Sequence, residues 1–109
     1  MGSPGFNFAA GAFVSAGSLA AVNVICGFPP KYVKTFIPDY TNGWTSEWWE
    51  GIPDGTGIKC ALVGGAYTAI ATLGITPSYV VGATTYYNGF TVGTNCQYAS
   101  TLCRWIAMA

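Results

Sequence analysis

Residues 43–55, GWTSEWWEGIPDG, hold three of the chain's four tryptophans and three of its four carboxylates, Glu47, Glu50 and Asp54. Two chemistries suggest themselves: a carboxylate pair acting as acid and base on a glycoside, and a row of indoles stacking on sugar rings. Spacing separates them. Side chains alternate along a strand, so Trp44, Ser46, Trp48 and Glu50 share one face while Thr45, Glu47, Trp49 and Gly51 share the other. Glu47 and Glu50 then point apart, and Asp54 falls past Pro53 in a turn, which does not suit a glycosidase. Trp48 and Trp49 cannot stack on one ligand. Trp44 and Trp48 would still present a two-ring face about 13 to 14 Å long, either as a carbohydrate platform or, by default, as core. Trp49, beside Thr45 and Glu47, is the indole expected at an interface, where tryptophan is enriched.

Little else in the chain offers catalysis. Histidine is absent, which removes the commonest general base and metal ligand. Cysteines at 26, 60, 96 and 103 have no C-x-x-C spacing, so no zinc site is expected. GTGIK at 55–59 has a lysine after glycines but lacks the frame of a phosphate loop; Asp54-Gly55 reads as a tight turn rather than a calcium ligand. No enzyme activity, catalytic residue, metal or cofactor is expected. The cysteines leave two outcomes open. A hairpin over Thr94 to Arg104, turning at Ala99-Ser100, would put Cys96 opposite Cys103 within bridging distance; otherwise all four stay as free thiols packed as small hydrophobes.

The elements that would carry these residues are short strands. Turn signals recur at Gly17-Ser18, Gly27 to Pro30, Thr41 to Gly43, Pro53 to Gly57, Gly64-Gly65, Gly74 to Pro77, Asn88-Gly89 and Gly93 to Asn95. Between them lie runs rich in Val, Ile, Thr, Tyr, Phe and Trp, the pattern of an all-β antiparallel sandwich or barrel with little helix. Alternation is cleanest at Lys31 to Pro38, with Val33, Thr35 and Ile37 on one face, and at Leu102 to Met108, with Cys103, Trp105 and Ala107 on one face. Neither run has a wholly polar side, so both sides are expected to meet protein. Residues 1–17 read as an extended N-terminal arm or edge strand, and 18–109 as a single β domain.

Charge limits the partners. Only 7% of the 109 residues are charged, four basic and four acidic, against about 25% in an ordinary soluble protein. A surface this poor in charge is expected to be covered by other chains. Zero net charge and the lack of a basic run argue against nucleic acid. Residues 2–30 carry no charge, yet Ser3, Asn7, Ser15, Ser18 and Asn23 and several glycines interrupt them, so neither a membrane-spanning helix nor a secretory leader is expected. Phe6, Phe8 and Phe13 of the arm, Trp49, and Tyr86-Tyr87 are the candidate interface residues.

Placed in this order, the strands resemble a known set. GFPPKYVKTF (27–36), EWWEGIPDG (47–55), GIT (74–76), GFTVGTN (89–95) and the final RWIAMA (104–109) resemble small virion proteins of tailed bacteriophages. In those, a Gly-Phe-x-Pro-x-Tyr-Val strand precedes a Glu-Trp-aromatic-x-Gly strand, and a Gly-Phe-Thr-[Ile/Val]-Gly turn precedes a last strand with Trp. The likeness spans roughly residues 27–109. It implies an all-β subunit of the virion that decorates or cements the capsid, less often the tail, binding the major capsid protein and copies of itself. It implies no catalytic residues. The Gly/Ala-rich arm, the four cysteines and the segment SYVVGATTYYN (78–88) fall outside the pattern. The alternative function, read from the residues, is a carbohydrate-binding module or a tail-associated receptor-binding protein using Trp44 and Trp48.

Overall fold

The computed structural model describes residues 6–39 and 41–109. They form ten strands: β1 Phe8–Val14, β2 Val22–Ile25, β3 Tyr32–Phe36, β4 Trp44–Trp49, β5 Thr56–Ala61, β6 Tyr67–Thr76, β7 Tyr79–Val81, β8 Thr84–Tyr86, β9 Gly89–Val92 and β10 Leu102–Met108. A single 3-10 turn at Thr94–Cys96 is the only helical element among the described residues. Eight strands make one antiparallel sheet in the order β1-β10-β3-β4-β5-β6-β9-β2, curled into a half-barrel; β7 and β8 form a separate hairpin.

Alternation sorts the two sides of the curled sheet. Val33, Thr35 and Ile37 at 0–1% exposure, with Ser46 and Trp48 on β4 and Cys103 and Ala107 on β10, line the concave side. Phe90 and Val92 of β9, Val24 of β2, Phe28 and Cys96 close the core across them. Phe90 meets Trp105 edge-to-face at 5.4 Å. The ring of Trp105 in turn lies over Gly11 of β1, where a Cβ would stand 2.7 Å from it. An apolar interior of this kind supplies most of the driving force for so small a chain.

The N-terminal segment is an edge strand rather than a free arm. β1 pairs with β10 over seven residues, from Phe8 opposite Met108 to Val14 opposite Leu102. Its inward residues Ala9 and Phe13 pack against the core. Residues 1–5 of the expected arm lie outside the described residues.

Two turn expectations need correction. Gly74 lies within β6, not in a turn. The ladder with β5 jumps from Gly57 opposite Ile70 to Thr56 opposite Ile75, so residues 71–74 bulge from the strand and Leu73 takes φ 55°. The bulge brings three glycines together: the Gly74 N–H donates to the Gly55 carbonyl and the Gly93 N–H to the Gly74 carbonyl, both at 2.8 Å. A Cβ on Gly74 would be 2.5 Å from the Thr56 oxygen, so only glycine lets these backbones approach. The hairpin over Thr94 to Arg104 is also absent. Cys96 lies in the 3-10 turn and Cys103 stands opposite Phe13, so the two are not cross-strand partners, and all four thiols are free. The reason is that β10 spends its two edges on β1 and β3.

Candidate interaction surface

The tryptophan strand divides as its parity requires. Trp48 is 3% exposed, and its indole N–H donates to the Pro53 carbonyl at 3.3 Å. Trp44 is half-buried on the same side, with the Lys59 ammonium 3.8 Å from its ring centroid and Tyr98 edge-on at 6.2 Å. The two-ring sugar platform therefore has no open face: one indole is core and a lysine caps the other. Trp49 points outward at 41% exposure.

Beyond Trp49 extends the convex side of the sheet, where pairing registers align residues into cross-strand rows. Phe8, Met108, Tyr32 and Trp49 stand opposite one another on β1, β10, β3 and β4. The next row runs Ala10, Ile106, Lys34, Glu47, Ile58 and Ala69; the third runs Ala12, Arg104, Phe36, Thr45, Cys60 and Tyr67. Only Lys34, Glu47 and Arg104 of these carry charge. Tyr32 donates its hydroxyl to the Glu47 carboxylate at 2.6 Å, and Lys34 stands directly across from Glu47. Burial, reinforced by the bond to Glu47 and its negative charge, holds the Tyr32 phenol far above its ordinary range, so it remains a donor. The Glu47 carboxylate thus already has a donor from within the face, which lowers the cost of covering it.

The expected interface residues fall into three groups. Phe8 at 56% exposure and Trp49 share a row, three strand spacings or about 14 Å apart; Phe6 lies exposed just before β1. Tyr86 and Tyr87 are exposed too, but on the β7–β8 hairpin beyond the opposite end of the sheet, with Tyr86 stacked on Tyr79 at 5.2 Å. Phe13 is the correction: strand parity turns it inward, where it packs on the core. Sequence reasoning missed Val63, Tyr67 and Leu73, exposed at 64%, 74% and 58% around the β5–β6 hairpin. Their signal was the apolar stretch near residues 60–75, which marks exposed hairpin surface here. No helix among the described residues is long and apolar enough to cross a membrane.

The fold and surface define an all-β half-barrel with an apolar, charge-poor convex face. Compared with protein-family models, curated proteins and solved structures, the chain finds no match.

Proposed function

We propose that this protein is a structural subunit of a virion, a decoration or cement protein of a tailed-phage capsid that docks through the convex face of its sheet. The observation that carries the reading is that face: three cross-strand rows of mostly apolar side chains with three charges, two of them facing each other as Lys34 and Glu47. A patch of this composition gains by leaving water, at about 25 cal/mol per Å² of apolar area covered, and monomers rarely leave such patches open. The resemblance of the strand motifs to those of small phage virion proteins supports a virion as the particle. Shape and burial do the work, and no reaction is required.

The test is composition of purified particles. Quantitative mass spectrometry of gradient-purified virions should find the chain at a fixed ratio to the shell protein, and Trp49→Asp should lower that ratio while the variant stays folded. A chain absent from particles and abundant in the soluble lysate would overturn the assignment.

A further inference from the structure

The two edges of the eight-stranded sheet are treated differently. At one end β2 is short and shielded: the β7–β8 hairpin lies beside it, and the Asn23 amide donates to the Val80 carbonyl at 3.3 Å. At the other end β1 offers seven regular residues, FAAGAFV, with no proline, no charge and no bulge. Asn7 and Ala109 exchange both main-chain bonds, and Ser15 donates to Thr101. By antiparallel alternation residues 7, 9, 11, 13 and 15 therefore bond to β10, while the N–H and C=O groups of Phe8, Ala10, Ala12 and Val14 face away from it. No main-chain bond to those groups is made by any other described residue. Natural sheets block such an edge with lysine, proline or a covering segment.

We propose that β1 pairs with β1 of a second copy, antiparallel about a twofold axis through Gly11, joining two half-barrels into one continuous sheet. The strand is self-complementary in that register. Phe8 meets Val14 of the second copy and Ala10 meets Ala12 as hydrogen-bonded pairs, and each inward Phe13 meets an Ala9. No pair sets two large side chains against each other, and the Gly11 pair at the axis adds no side chain beneath the Trp105 indole that each copy lays over it. About eight main-chain hydrogen bonds would form, two in each outward pair. Among the charged side chains of the described residues, the nearest to the seam, Arg104 of each copy, stand on β10 strands three spacings apart, about 14 Å and beyond a physiological Debye length of about 8 Å.

Area sets the strength. Phe6, Phe8 and Val14 are 68%, 56% and 68% exposed, which with Ala10 and Ala12 amounts to roughly 400 to 500 Å² of apolar surface per copy. Even if all of it were covered, two copies would bury at most roughly 800 to 1,000 Å², below the about 1,200 Å² at which standard specific interfaces begin. The dimer is accordingly reversible and concentration-dependent. The convex rows then run on from one copy to the next, whatever particle they cover.

Sedimentation of the full chain over a concentration series tests this. A reversible dimer is expected; a monomer at high micromolar concentration overturns the proposal. Ala10→Pro removes an outward N–H that β10 does not use, and should raise the dimer dissociation constant about a hundredfold without lowering the monomer's unfolding temperature. Should that variant fail to fold, a pair of variants at exposed positions decides. Ala10→Lys with Ala12→Lys puts like charges opposite each other and should dissociate the dimer, whereas Ala10→Lys with Ala12→Glu creates two cross-copy ion pairs and should restore it. A dimer indifferent to the lysine pair, or not restored by the Lys/Glu pair, would sink the β1 register.

Discussion

Gly11 and the buried thiols show how single positions constrain this fold. Gly11 is required by what lies above it: its absent side chain is the seat of the Trp105 indole, which in turn meets Phe90. Gly11→Ala should therefore cost about 1 to 3 kcal/mol in urea unfolding, the usual cost of overpacking a core, although alanine suits a strand better than glycine does. Burial pushes the Cys96 and Cys103 thiols up to about 11 from 9.0. Between those values the unfolded chain releases its thiol protons and the folded chain keeps them, so stability should be fully present below pH 9 and fall toward pH 11. Equilibrium unfolding across that window checks the sign. Iodoacetamide at neutral pH should label the half-buried Cys26 and Cys60 well before Cys96 and Cys103, and all four thiols should label after unfolding without reductant.

Among the elements, β1 changes meaning most. An arm would be dispensable to the domain, but an edge strand carrying Ala9 and Phe13 into the core is not. Removing residues 1–14 should cost at least about 3 kcal/mol, because it strips Phe13 from the core and bares the inner side of β10; an unchanged unfolding midpoint would show that β1 adds nothing. Phe8→Ala, confined to the outer row, should shift stability by no more than about 0.5 to 1 kcal/mol. The β5–β6 and β9 segments make a different point. GIT, IPDG and GFTVG are far apart in sequence, yet their glycines bond in series at Gly55, Gly74 and Gly93. Alternation told which residues share a face of each strand; it could not tell that a four-residue bulge would bring these backbones together, because bulges follow from the partner strand.

At the scale of the whole molecule, the poverty of charge and the curl of the sheet have one consequence. The concave side consumes the residues that make a core, and the convex side is left with apolar rows and three charges. Trp49→Ala should leave thermal unfolding within about 1 kcal/mol of wild type while, under the docking proposed above, reducing particle occupancy about tenfold, the loss expected for an exposed aromatic anchor of an interface. Quantitative mass spectrometry of purified particles reads the second effect, and equal loss of folding would deny Trp49 an interface role.

The sequence by itself determined the all-β class, which residues of β3, β4 and β10 share a face, and that Trp48 and Trp49 point to opposite sides. Each follows from a two-residue period; which side of β3 and β10 is the inner one was settled only by what packs against it. Only the tertiary structure decided that β1 is an edge strand with Phe13 inward, that Cys96 and Cys103 stand on unrelated elements, and that Trp44 is capped by Lys59. Those outcomes depend on which strands become neighbours, and strand order arises from long-range pairing that no local pattern encodes.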